Sequence, residues 1–259
     1  MNIGIIGTGN IAAYLLEQIN DNGLVDGRVT AIFGRNQEVG PRLSKQFKVD
    51  FHTAMHEFLE TPLDIVVEAS TVQAASLYLN DVVAHQKDLV VSSIGVFKEI
   101  NFLTDMTHLA RANGTRIFLP SGAIGGLDVL QSAKAAGGLH QVRITTRKSP
   151  ASLGIEAAEE EILFEGSAYE AVEKFPKNVN VALVLAIAGI GVEKTIVRVI
   201  VDPAVERNTH TIEAVGDFGR MELKVENNPM PSNPRTSLLA ALSIVAVLQN
   251  KDRALRIGN

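Results

Sequence analysis

Short runs of branched apolar residues alternate with stretches of helical period over the first 120 positions. The runs at 3–6, 28–33, 49–52, 64–68, 89–93 and 116–119 hold few polar residues, as strands covered on both faces of a parallel sheet do. Between them, residues 10–16, a segment through Phe58, 71–85 and 100–113 carry helical spacing, and the last closes at Asn113-Gly114. Strand and helix in regular alternation predict a doubly wound parallel sheet.

Past position 120 the pattern changes. Residues 141–146 alternate, 161–165 are short, and 194–201, 209–215 and 220–226 are separated by turns such as Gly216-Asp217-Phe218-Gly219. That spacing predicts a mixed or antiparallel sheet. Helices are expected at 127–136, after the capping box Ser167-Ala168-Tyr169-Glu170, within the apolar stretch 179–192, and from Asn233-Pro234 through 236–250. The fold class is therefore α/β, with a second α+β domain on a mixed or antiparallel sheet. Residues 1–119 with 234–259 are expected to form the first domain, and 120–233 the second.

Composition narrows the function classes. With 29 acidic against 24 basic side chains and no long basic run, nothing marks a nucleic-acid face. The absence of cysteine removes disulfides, thiolate chemistry and Cys-ligated metals. Residues 179–192 contain Asn180 and two glycines and are too short to span a bilayer. The chain enters its first strand without a basic and apolar leader, so a cytoplasmic protein is expected.

The chemistry starts at Gly7-Thr8-Gly9-Asn10-Ile11-Ala12, between the first strand and first helix. Gly7 permits the tight turn, Gly9 lets the backbone approach a pyrophosphate, and the helix start at Asn10 and Ile11 offers N–H groups to anionic oxygens. In that context the glycines point to a Rossmann-type dinucleotide site. At the end of the second strand, where a carboxylate would take the ribose hydroxyls of NAD, the chain has Gly34-Arg35-Asn36. Arg35 suits a 2′-phosphate, so acceptance of NADP beside NAD is expected. The fourth strand ends at Ala69-Ser70-Thr71, with Ser70 where ribose and nicotinamide cross the sheet edge. A second loop-to-helix junction, residues 120–128, suits backbone contact with a cofactor ring or a carboxylate. None of the six histidines shares a metal-ligand spacing with other ligands, so no metal is expected. His210, on a strand of the second domain, is either a proton-transfer residue or a half-buried structural histidine.

Taken in order, the glycine turn, Ser121-Gly122-Ala123-Ile124-Gly125-Gly126-Leu127-Asp128, Thr145-Thr146-Arg147-Lys148, residues 175–182, Asp202-Pro203, Asn208-Thr209-His210, Phe218-Gly219, Glu226-Asn227-Asn228-Pro229 and residues 233–237 make the chain resemble the L-aspartate dehydrogenases. The resemblance implies hydride transfer between the Cα of L-aspartate and NAD or NADP. Iminosuccinate results, going on to oxaloacetate and ammonia or into NAD biosynthesis. It implies that Ala123 and Asn180 contact the nicotinamide cofactor, that His210 is the active-site histidine, and that the protein is a homodimer whose last helix returns to the nucleotide domain. Ala182-Leu183-Val184-Leu185 departs from the smaller or hydroxylated residues usual there. The substrate's two carboxylates need cationic partners, for which Arg147, Lys148, Lys177 and Arg235 are candidates. Two rivals are a homoserine dehydrogenase or dihydrodipicolinate reductase type of enzyme, centred on Lys148 or Lys177, and a non-catalytic dinucleotide sensor. Neither would need His210.

Overall fold

The computed structural model describes residues 1–175, 180–231, 233–255 and 257, with positions 234 and 235 described in backbone only. It divides into two compact units, Met1–Pro120 with Ile244–Arg253, and Ser121–Ser243 with the described part of 254–259.

In the first unit, strands β1 (Asn2–Ile6), β2 (Arg28–Phe33), β3 (Asp50–His52), β4 (Ile65–Glu68), β5 (Asp88–Val91) and β6 (Ile117–Phe118) form one sheet in the order β3-β2-β1-β4-β5-β6. Every pairing is parallel. Helices α1 (Asn10–Leu16), α2 (Val39–Phe47), α3 (Met55–Glu60), α4 (Val72–Ala84) and α5 (Ile100–Asn113) alternate with the strands, and α1 runs on as a π-helical turn over Glu17–Asp21. Ile3, Ile5, Leu15, Leu16, Val29, Ile32, Ile65, Val67 and Val90 share one buried core. Each such side chain contributes about 1.5–3 kcal/mol on burial, which is why these strands are apolar on both faces. Gly114, at φ +67°, ends α5 as the sequence predicts. The strand order turns back between β1 and β4, so their carboxyl ends open the crevice where ligands bind in such sheets.

Ile244, Val245 and Leu248 of the C-terminal helix belong to the same core. Beyond them Lys251 reaches Asp88 at 3.1 Å, and Arg116 holds the same carboxylate at 2.8 Å. Burial alone would push Asp88 up, but hydrogen bonds from Arg116 and Lys251 bring its carboxyl below the usual value of 3.8. A depressed carboxyl stabilises the fold above its unfolded pKa, and that contribution is lost as pH falls through the folded one. Asp88→Asn should cost about 1–3 kcal/mol at pH 7, under the range for fully buried pairs because Arg116 is half exposed. Urea unfolding should show the gap from the natural protein narrowing as pH falls below 3.8; a gap that does not narrow on acidification would show that the charge is not its source.

In the second unit, α6 (Leu127–Ala135) leads into β7 (Leu139–Lys148), α7 (Pro150–Leu153), β8 (Glu161–Ser167), α8 (Ala168–Lys174), α9 (Asn180–Ala188), β9 (Ile196–Val201), β10 (Asn208–Gly216) and β11 (Gly219–Asn227). The sheet order is β11-β10-β7-β9-β8, antiparallel except for the central β7–β9 pair. Along β7, Val142, Ile144, Thr146 and Lys148 are buried while Arg143, Thr145 and Arg147 are half exposed, the period of two that alternation predicts. Ser167 and Glu170 form both halves of the capping box on α8. In α9, Ala182, Leu183, Val184 and Leu185 are all buried.

One element departs from expectation. Residues 233–237 are not a helix start but a strand, β13 (Asn233–Ser237), paired with β12 (Pro229–Met230), and α10 (Leu238–Asn250) begins only afterwards. The Asn233 side chain donates to Thr236 Oγ1 at 2.9 Å instead of capping a helix, and a two-stranded ribbon tolerates the missing N–H of Pro234. The α10 surface is also less uniformly covered than its sequence suggests: Ala241, Ile244, Val245 and Leu248 are buried, but Leu239 and Leu242 are a third exposed. No helix among the described residues is long and apolar enough to cross a membrane.

Candidate active site

In the first unit the predicted cofactor residues gather at the carboxyl ends of β1, β2 and β4. Gly7 donates its N–H to Phe33 O at 2.8 Å, and its φ of +126° is open to glycine. A Cβ there would stand 2.4 Å from the Ala69 carbonyl oxygen, so the turn after β1 lies directly on the end of β4. Gly9 has a different reason. Its backbone is extended, and a Cβ on it would meet nothing within 4 Å, so the space beside it is open. No side chain caps α1, which leaves its first N–H groups available, with Asn10 exposed and Ile11 half-buried beside them. These features fit a dinucleotide pyrophosphate. Arg35 is exposed in the loop after β2, where Asn36 accepts the N–H groups of Glu38 and Val39 and starts α2. Ser70 donates both its N–H (2.8 Å) and its hydroxyl (2.7 Å) to Glu68, a buried carboxylate at the last position of β4.

The second unit carries a row of polar side chains on the inner face of its sheet. His210 on β10 stands opposite Thr146 on β7, with Nδ1 and Oγ1 2.9 Å apart. Lys148 lies two positions along β7 on the same side. Asn208 and Asn227, paired across β10 and β11, extend the row. His210 and Lys148 are 4% and 6% exposed, which governs their protonation. Burial lowers the Lys148 ammonium to about 8, and burial followed by repulsion from Lys148 lowers His210 to about 3. The imidazole is therefore neutral at pH 7, able to accept a proton at one nitrogen and donate from the other, while Thr146 can meet either tautomer.

A cavity of about 440 Å³ opens at the Asn208–Asn227 end of this row, lined also by Ser149, Ala151, Ser152, Glu206, Pro229 and Asn233 and not by His210, Thr146 or Lys148. Ser149 caps α7, and Ser152 Oγ donates to Asn208 Oδ1 at 3.3 Å. Asn227 donates its amide to the Ala123 carbonyl at 3.1 Å, joining the 121–126 loop to the sheet. Asn180 starts α9, and its neighbour Val181 lies against Gly122 of that loop.

The four candidate carboxylate binders are not equivalent. Lys148 is in the row; Arg147 projects to the opposite face and is ion-paired with Asp202 at 2.7 Å and with Glu160. Lys177 lies outside the described residues, as does the side chain of Arg235.

Residues 7–120 match the model described as homoserine dehydrogenase, NAD binding domain, and residues 128–251 the one described as aspartate dehydrogenase, C-terminal. An L-aspartate dehydrogenase from Methanosarcina mazei is 38% identical, over 100% of this chain and 99% of the relative. One from Archaeoglobus fulgidus is also 38% identical, over 96% and 97%. The crystal structure of aspartate dehydrogenase from Thermotoga maritima superposes with a TM-score of 0.82 at 30% identity, covering 100% of this chain and 99% of that one. The chain belongs to the L-aspartate dehydrogenase family. The first match falls within the first unit, and the second begins in the second unit and runs into the C-terminal helix.

Sequence reasoning missed several residues of this candidate site. Thr146, Asn208 and Asn227 sit inside motifs that carry the resemblance, and continuing the alternation of 141–146 would have placed Thr146 on the inner face with Val142. Glu68 had a plainer signal, a charged residue ending an otherwise apolar strand.

Proposed function

We propose that the protein oxidises L-aspartate to iminosuccinate with NAD or NADP, the imine then yielding oxaloacetate and ammonia. The observation that carries this reading is the buried His210–Thr146 pair with Lys148 on the same sheet face, the row continuing through Asn208 and Asn227 into a cavity. The Lys148 ammonium holds a substrate carboxylate, and the amides and hydroxyls of Asn208, Asn227, Ser149 and Ser152 orient the rest of the molecule. Arg147, already engaged by two carboxylates, supports the sheet; Lys177 and Arg235 remain candidates for the second carboxylate. A nicotinamide cofactor held by the first unit would supply the hydride acceptor for Cα. His210 accepts the proton leaving nitrogen as the C=N bond forms and releases it to solvent; neutral again, it takes one proton from water as that water adds to the imine carbon, and returns it to the nitrogen as ammonia leaves. Thr146 keeps the ring oriented during these transfers. Gly7, Gly9, Asn10, Ile11, Ser70, Ala123 and Asn180 are assigned to the cofactor. The homodimer implied by the resemblance and the cytoplasmic location expected from the sequence belong to the same proposal.

The test is reduced-nicotinamide absorbance with purified protein and L-aspartate, NAD and NADP in parallel. Aspartate-dependent turnover is expected; cofactor binding without it would favour the sensor or another substrate. The exposed Arg35 argues for NADP acceptance, since a guanidinium meets a 2′-phosphate with a charge-assisted hydrogen bond. Arg35→Glu should lower kcat/KM with NADP by about 10- to 100-fold and leave NAD within about threefold. An equal effect on both cofactors would remove Arg35 from the selectivity.

A further inference from the structure

Glu68 is fully buried and accepts four hydrogen bonds. The Ser70 N–H and hydroxyl reach Oε1 at 2.8 and 2.7 Å, the Ser93 hydroxyl reaches Oε1 at 2.9 Å, and the Ser93 N–H reaches Oε2 at 2.8 Å. These bonds tie the end of β4 to the segment after β5. All four donors are neutral, and among the described residues no lysine or arginine pairs with this carboxylate. Removing a charge from water without a counter-ion is costly, and a scaffold role alone could be filled by a neutral amide or hydroxyl. The location supplies a reason for the charge. Glu68 ends the strand at the switch point, and the residue after it, Ala69, touches the Gly7 turn. A nicotinamide dinucleotide bound on that turn carries its ring across this sheet edge, and the ring is a cation in the oxidised cofactor and neutral in the reduced one.

We infer that Glu68 is a fixed counter-charge for the oxidised nicotinamide, selecting NAD(P)⁺ over NAD(P)H at the carboxyl edge of β4. It acts through the field that its charge sets up, Ser70 and Ser93 only holding the carboxylate in place. This rests on the dinucleotide reading of the first unit and adds to it a preference for oxidation state.

Equilibrium binding of NAD⁺, NADH and ADP-ribose to the whole protein, by calorimetry, tests the inference without turnover. A unit charge at about 10 Å through an effective dielectric constant of about 20 changes affinity by about tenfold. Glu68→Gln should therefore weaken NAD⁺ about tenfold, with NADH and ADP-ribose held within about twofold. Ser93→Ala removes hydrogen bonding but keeps the charge, and should leave the NAD⁺ to NADH ratio unchanged. Equal weakening of all three ligands in Glu68→Gln would reduce Glu68 to a scaffold residue. A changed ratio in Ser93→Ala would also overturn the inference, even if Glu68→Gln does not fold. Failure of the natural protein to bind any of the three would strike at the dinucleotide reading instead.

Discussion

His210→Ala should lower turnover with L-aspartate by about a thousandfold while leaving cofactor affinity within about twofold, general acid–base groups being worth about 10²–10⁴ in rate. Most of the proposed cofactor residues, the glycine turn, Arg35 and Ser70 among them, belong to the first unit and His210 to the second, so most of the dinucleotide's contacts do not depend on the imidazole. The ring is buried and lowered to about 3, first by burial and then by Lys148. It is therefore already neutral across the working range, and kcat/KM for aspartate should show no acid limb near the ordinary histidine value of about 6.5. His210→Asn, which keeps a hydrogen-bonding group near Thr146, separates proton transfer from packing: it should fold as stably as the natural protein to within about 1 kcal/mol and still be inactive. Retention of more than a tenth of the natural rate in both variants would move proton transfer to a lysine, as in the homoserine dehydrogenase type of mechanism.

How much of this was legible in the sequence depended on the range of the interactions involved. The first unit follows from local signals. Branched runs, a glycine turn needing a positive φ at Gly7, and a glycine stop at Gly114 each determine structure within a few residues, and the chain order of a doubly wound sheet follows from them. The mixed sheet was legible in its alternation, but its strand order was not. The parallel β7–β9 pair between antiparallel neighbours depends on which apolar faces meet, and no short window contains that information. The strand at Asn233–Ser237 misled for a related reason. Asn-Pro ahead of an apolar run is a good local helix start, but a partner strand at Pro229–Met230 outweighed it.

The site was legible as residues and not as an arrangement. His210, Lys148 and Arg147 all appear in quoted motifs, yet only the register of β7 against β10 puts Thr146 opposite His210 and turns Arg147 to the other face. One residue of spacing along β7 separates a buried ammonium beside the histidine from a guanidinium already paired with acids. Pairing register, which is set by the whole sheet, thus selects among cations that sequence could only name together.

Lys148 provides the second large effect, and its sign can be followed through both binding and stability. Burial holds its pKa at about 8, below the usual 10.5, so in the free protein the ammonium is present below pH 8 and lost above it. A dicarboxylate binds the charged form, so the Kd of succinate, a non-reacting probe, should be lowest below pH 8 and rise about tenfold per pH unit above it. Lys148→Met should weaken succinate by about 30- to 1,000-fold, the range for losing one partner of a desolvated charge pair, and should abolish this pH dependence. Stability should move the other way. Between pH 8 and 10.5 the unfolded chain holds a proton on Lys148 that the folded chain has released, so the natural protein gains stability as pH rises through that window. The methionine variant, which buries no charge, should lack that rise and be equal in stability or firmer by about 1–3 kcal/mol at pH 7. Weaker succinate binding in a fold that is no less stable is the combination that distinguishes a binding charge from a structural one. Unchanged succinate affinity in Lys148→Met would transfer both carboxylates to other cations, Lys177 and Arg235 first among them.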